Sequence, residues 1–319
     1  MKQVEERYIS LLTDFGFKRI FGSAPNKDLL ICFLNSLFNG RQVVKDVKYL
    51  NPENVGDIYT DRKAIFDVYC EGENGERFIV EMQNAYQTYF KDRALFYSTF
   101  PIREQAPKGS EWDFKLNHVY TIALLNFNMN EEAFNKEEIR HHVQLCDTAT
   151  HKIFYDKLEF IYVEIAKFNK SLDELDTLYD KWLYALKNLY KLTQRPKALC
   201  DKVFDRLFEE AEIARFTPQE QREYEASKMA YRDIKNSIDT AKREGKEEGL
   251  AEGMEKGLAE GMEKGLAEGM EKGLAEGMEK GMNKRSLEIA RKMLTNGIDT
   301  ATVMEITGLS ESQLKQLKE

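Results

Sequence analysis

The sequence predicts an α/β domain followed by an all-helical tail that carries a glycine-rich octapeptide repeat. Three observations predict it. Residues 1–170 alternate between segments apolar at helical spacing and segments with strand patterning. Beyond residue 171 the apolar spacing becomes helical throughout. Between 249 and 280 the octamer GLAEGMEK occurs four times without a mismatch, with glycine at every fourth position from Gly245 to Gly281.

The elements follow in order. KDLLICFLNSLF, 27–38, is apolar at helical spacing and predicts a helix. Val43 to Leu50 predicts a short strand. Ala64–Cys70 and Arg77–Gln83 predict two stronger strands joined by a turn at Asn74–Gly75. A helix is expected over 89–105. VYTIALLNF, 119–127, is nearly continuously apolar, as a strand buried on both faces must be. A further strand is expected over 157–165. Ser171 with Glu174 three residues later is a capping box opening a run of helices over 172–193, 197–215 and 217–244.

Composition restricts the function. With 42% hydrophobic and 32% charged residues, the chain reads as soluble and globular. It has no apolar run long enough to span a bilayer, and the opening MKQVEERYIS lacks a signal peptide's apolar stretch. A cytoplasmic protein without membrane contact is expected. Cys32, Cys70, Cys146 and Cys200 form no CxxC pair, so buried free thiols are expected rather than disulfides or zinc. A net charge of −8 excludes general coating of nucleic acid, so any action on DNA needs a local basic surface and metal ions.

The chemistry concentrates in IFDVYCEGENGERFIVEMQ, 65–83. Alternation puts Phe66, Val68 and Cys70 on one face, and Ile65, Asp67 and Tyr69 on the other. On the second strand Phe78, Val80 and Met82 are apolar, while Ile79, Glu81 and Gln83 share the opposite face. Matching the apolar faces sets Asp67 opposite Glu81 and leaves Glu73–Asn74–Gly75 as a three-residue loop, with glycine where the left-handed conformation falls. Opposed residues have Cβ atoms about 4.5–5.5 Å apart, and two carboxylates that close repel. A divalent cation between them resolves the repulsion. Oxygen ligands alone favour a hard ion such as Mg²⁺, which can activate water and stabilise a transferring phosphoryl group. Gln83 lies diagonal to Asp67, within reach of a metal-bound water. The pattern alone fits equally two exposed carboxylates on a half-solvated sheet.

An Asp, a hairpin and then Glu-x-Lys or Glu-x-Gln resembles the motif of the PD-(D/E)XK nuclease superfamily. LLTDFGFKRIFG (11–22), NKDLLICFLNSLF (26–38), YLNPEN (49–54), DRKAIFDVYCEGENGERFIVEMQ (61–83) and FKDRALFYST (90–99) together resemble one branch, the Rpn family of recombination-promoting nucleases and transposases. The resemblance implies a restriction-endonuclease-like core, a mixed central sheet flanked by helices. It implies metal-dependent cleavage of DNA phosphodiesters, with Mg²⁺, or Mn²⁺ in its place, held by Asp67 and Glu81. Gln83 stands where the superfamily usually has Lys, and Gln supplies no positive charge. A catalytically weak DNA-binding or regulatory relative is therefore the alternative. If the site is active, a cation must come from elsewhere. Lys63, four residues before Asp67, is the first choice, ahead of Lys18 and Arg93. Asp14 and Lys18 border the site if 11–21 is helical.

Ten glycines would penalise a helix over the repeat by roughly 8–10 kcal/mol. Two readings stand: a tether, or a glycine-faced helix that assembles a homo-oligomer through right-handed crossings. The tail predicts short helices over 284–295, 299–306 and 310–318, with stops at Asn296–Gly297 and Gly308. This resembles a small helix-turn-helix, although six Lys/Arg against five Asp/Glu is a weak charge for DNA contact, and a helical cap or oligomer contact fits as well. The four segments expected are a core over 1–170, a helical extension over 171–244, the repeat over 245–281 and the tail over 282–319.

Overall fold

Six strands form a single mixed sheet in the order β1-β4-β5-β6-β8-β7. The structure is a computed structural model and describes residues 6–54, 64–106 and 113–317. The strands are β1 (Val47–Tyr49), β4 (Val68–Gly72), β5 (Arg77–Gln83), β6 (Val119–Leu125), β7 (Arg140–Cys146) and β8 (Ile153–Glu164). β5, β6 and β8 run parallel, and β1, β4 and β7 attach antiparallel at the two sides. A separate two-stranded pair joins β2 (Glu53–Asn54) to β3 (Ala64–Ile65).

The central parallel strands need both faces covered, because their backbone and apolar side chains have no solvated side. β6 is buried along its whole length. One face, carrying Val68, Cys70, Phe78, Val80, Tyr120, Ile122, Ile161 and Val163, lies in a large apolar cluster with α1 (Asp14–Phe21), α2 (Lys27–Phe38), α4 (Leu178–Asn188) and α5 (Lys202–Glu210). Trp182 of α4 sits at its centre with no exposed surface, 5.7 Å from the ring of Phe21 and 5.0 Å from that of Phe204. The opposite face is covered by α3 (Phe90–Glu104), whose Phe90 and Ala94 pack on Ala123, Leu125 and Tyr162, while Phe100 packs on Tyr69 and Ile79.

The helices after residue 171 are therefore part of the same apolar cluster as the sheet. Tyr224, near the start of α6 (Pro218–Thr295), is 1% exposed, and its hydroxyl accepts the backbone N–H of Ser10 at 3.0 Å. The chain's first described residues also lie against the end of α5, with Ile9 N–H donating to the Ala211 carbonyl. Residues 1–240 form one compact unit and 241–319 a second.

Several expectations need correction. β7 has no counterpart in the sequence reading. It is an edge strand with four polar residues to three apolar ones, and the apolar ones, Val143, Leu145 and Cys146, are exposed, so it lacks the signal that marks β6. Phe66 does not share a face with Val68 and Cys70. The chain bends at Phe66 and Asp67 between β3 and β4, which interrupts the alternation, and Phe66 packs instead with Tyr69, Ile79 and Phe100. All four cysteines are free, but only Cys70 is buried; Cys146 and Cys200 are exposed.

In the second unit the repeat is helical throughout. Each four-residue step advances about 40° beyond a full turn. The nine steps from Gly245 to Gly281 carry the Leu/Met row roughly once around the helix, so no fixed apolar face results. From Leu250 to Met282 these side chains are 62–72% exposed. The Glu252–Lys256 and Glu276–Lys280 pairs return only about 0.2–0.5 kcal/mol each against the glycine penalty. After α6, Gly297 (φ +83°) and Gly308 (φ +67°) adopt the left-handed conformation that stops a helix. Asp299 and Ser310 cap α7 (Thr300–Thr307) and α8 (Glu311–Gln316), and Ala290, Val303, Leu309 and Leu314 form a small core of their own. None of the described helices is long and apolar enough to cross a membrane.

Candidate metal centre

The β4–β5 hairpin sets the site. Its register pairs Val68 with Val80 and Glu71 with Arg77, and Asp67 is the residue just before the paired stretch, as Glu81 is the one just after it. The turn is the three-residue loop Glu73–Asn74–Gly75, closed by Gly72 N–H to the Glu76 carbonyl at 2.9 Å. Gly75 has φ +84°, which demands glycine; a Cβ there would also stand 2.5 Å from the Asn117 side-chain amide, which would have to move.

Asp67 stands just outside the ladder. Its Oδ2 accepts the N–H of Met82 at 2.9 Å, replacing the backbone bond that a regular strand would have made. The carboxylate is thereby fixed in direction and turned towards Glu81. Burial raises its pKa; the Met82 N–H and the cations Lys18 and Arg93 pull it back, and Asp14 raises it. Glu81 is 7% exposed. Burial, reinforced by the charge of Asp67, pushes its carboxyl up to about 8, while Arg93 and the Gln83 amide pull it down.

One atom is conspicuous energetically. Glu81 Oε1 is buried and has no hydrogen-bond partner among the described residues. A buried carboxylate oxygen without a partner costs on the order of 1–3 kcal/mol or more. Its neighbour Asp67 is a second carboxylate, whose charge disfavours ionising Glu81, and the nearby cations Lys18 and Arg93 leave Oε1 without a partner. That donor set, two hard oxygens with one unsatisfied, fits a small divalent cation. No group of three or more His, Cys, Asp or Glu side chains gathers among the described residues. Two carboxylates leave the remaining positions to water and substrate oxygen, as Mg²⁺ prefers.

Gln83 is engaged on both sides. Its Nε2 donates to Glu81 Oε2 at 3.0 Å, and its Oε1 accepts from Arg93 at 2.6 Å. Arg93 also donates to Gln87 at 2.6 Å. Lys18, on α1, lies 3.8 Å from Asp67 Oδ1 and 2.7 Å from Asp14. The described residues thus bring together Asp67, Glu81, Gln83, Arg93, Lys18 and Asp14. Lys63 lies outside the described residues. Arg93, ranked behind Lys63 by sequence, is the cation that reaches Glu81 through Gln83. Its signal was present in the helix FKDRALFYST, but strand register says nothing about where a following helix crosses the sheet.

If the site cleaves DNA and Arg93 is its cation, Arg93→Ala should lower that cleavage roughly a hundredfold, the scale of losing one preorganised donor. Lys18→Ala should cost less, because Lys18 is already engaged by Asp14. Turnover on plasmid compares the two directly, and a larger loss for Lys18→Ala would reverse the assignment.

Two family models match the chain. One, described as PD-(D/E)XK nuclease family transposase, matches residues 11–241. The other, described as the C-terminal HTH domain of the Rpn/YhgA-like nuclease family, matches residues 283–319. No curated protein and no solved structure matches the chain.

Proposed function

Because the chain belongs to the PD-(D/E)XK nuclease family transposases, we propose that it is a Mg²⁺-dependent DNA endonuclease linked to recombination or mobile elements. The observation that carries this is the unpartnered Glu81 Oε1 beside Asp67. Asp67 and Glu81 would hold the ion, with Mn²⁺ able to replace Mg²⁺. When bound, the ion would lower the pKa of water and neutralise charge on the phosphate.

The chain's own residues do the rest. The Met82 N–H holds Asp67 in a fixed direction. Gln83 orients Glu81 and joins it to Arg93, whose guanidinium brings a permanent positive charge to the position where Gln83 itself has none. That arrangement weighs against the alternative of a non-catalytic relative, whose main support is Gln83. The test is incubation of purified protein with supercoiled plasmid. Nicking with Mg²⁺ and none with EDTA is expected. Intact plasmid under all metal conditions would favour the non-catalytic relative.

The helices of the tail are proposed to contact DNA, which the family match over 283–319 supports. The repeat is exposed throughout and offers no carboxylate pair comparable to the hairpin. Deleting 249–280 should therefore leave metal-dependent nicking of supercoiled plasmid within about twofold of the full chain, while altering affinity for long duplexes, because a spacer sets effective concentration. If the repeat assembles the chain into oligomers, light scattering will report a lower molar mass for the deletion. A deletion protein that is folded by circular dichroism yet inactive on every substrate would show the repeat to be part of the machinery.

A further inference from the structure

Next to the candidate centre, α3 opens onto a cavity of about 530 Å³ lined by Gln87, Tyr89, Asp92, Arg93 and Phe96. That volume lies in the range of sites for small organic ligands. Residues 89, 92, 93 and 96 stand at i, i+3, i+4 and i+7, so they share one helical face. Two of the four are aromatic and open to solvent: Tyr89 is 74% exposed and Phe96 42%. The Tyr89 ring meets no other ring, and its hydroxyl makes no hydrogen bond, among the described residues. Single exposed aromatics are ordinary on protein surfaces. Phe96 meets the Phe100 ring at 5.1 Å on one side, but packing gives no account of the exposed Tyr89 ring beside an arginine that is two hydrogen bonds from Glu81.

We propose that this cavity takes an unpaired nucleobase of the DNA strand whose phosphate lies at the Asp67–Glu81 centre, so that the substrate is single-stranded or locally unpaired DNA. The identity of the strand as DNA rests on the function proposed above. The chemistry of the lining suits a base. The Tyr89 and Phe96 rings offer stacking surfaces, the Arg93 guanidinium, seated over the Phe90 and Tyr97 rings, brings positive charge, and the Gln87 amide N–H and Asp92 carboxylate offer a donor and acceptors to a base edge. Arg93 connects the cavity to the centre, donating both to Gln87 and to Gln83, which in turn donates to Glu81. A net charge of −8 gives the chain little general attraction for phosphate, and stacking is the sequence-tolerant source of affinity that does not need it. A paired base in a regular duplex has both faces stacked and cannot present one to Tyr89.

The test measures binding in EDTA by fluorescence anisotropy of the full-length chain. The probes are a labelled oligonucleotide alone and the same strand annealed to its complement. Tyr89→Ala should weaken binding of the unpaired strand roughly five- to a hundredfold, the scale of one lost base–aromatic stack. Duplex affinity should fall far less. Tyr89→Phe, which keeps the ring, should bind the unpaired strand as the natural chain does, and Phe96→Ala should act in the same direction as Tyr89→Ala. A 2-aminopurine in the strand should lose fluorescence on binding the natural chain and regain it with Tyr89→Ala. The proposal is overturned if Tyr89→Ala weakens both probes equally, or neither. Binding in EDTA involves no cleavage, so this result is independent of plasmid nicking, which judges the nuclease function separately.

Discussion

Asp67→Ala and Glu81→Ala are each expected to reduce plasmid cleavage by about a thousandfold or more while leaving the fold intact. The metal-held charge that stabilises a transferring phosphoryl group is worth several kcal/mol, and each 1.36 kcal/mol is tenfold in rate. The two carboxylates should fail for different reasons. Without Asp67 the Met82 N–H loses its acceptor and the ion loses the ligand whose direction is fixed. Without Glu81 the ion loses the oxygen that has no other partner. Neither side chain belongs to the large apolar cluster, so circular dichroism should be unchanged. Wild-type nicking by either variant would remove these residues from the site.

The second large effect is on stability, in metal-free protein. Glu81 titrates near 8 when folded, against an ordinary value of 4.5. The folded chain therefore keeps a proton that the unfolded chain releases between those values. Stability is fully present below about pH 4.5 and is lost as pH rises through 8. Glu81→Gln cannot ionise and escapes that loss. At pH 4, below the unfolded value, the two proteins should unfold within about a degree of each other. At pH 8 and above the variant should be more stable by a few kcal/mol, which for a unit this size is roughly 5 °C or more in Tm. Saturating Mg²⁺ should stabilise the natural chain and not the variant. A difference in Tm that stays constant from pH 5 to pH 9 would contradict the burial of an ionisable Glu81.

The mixed sheet and the register of the β4–β5 hairpin were legible in the sequence because period-two alternation and a glycine-ended loop admit one register. The limits of that reasoning are equally physical. Alternation assumes an unbroken strand, and the bend at Phe66 breaks it; nothing in IFDVYC announces that a carboxylate will take the place of a backbone acceptor. Arg93 reaches Glu81 only because α3 packs across the sheet on Ala123 and Leu125, a long-range contact that local patterning does not contain. β7 is polar enough to pass for a loop, and it acquires strand structure from the edge of β8. The repeat shows the opposite limit. Its glycine propensity predicts a weak helix and leaves a tether open, yet the structure has it helical throughout.

The bond from Met82 N–H to Asp67 has a consequence for observation. An amide proton held by a carboxylate shifts in the NMR spectrum when that carboxylate gains a proton or a metal. The Met82 cross-peak is thus a resident indicator of what occupies Asp67, readable without substrate and without turnover. Titrating Mg²⁺ or Mn²⁺ while watching this one signal, Mn²⁺ by its paramagnetic broadening, would measure ion occupancy at the level of a single oxygen atom.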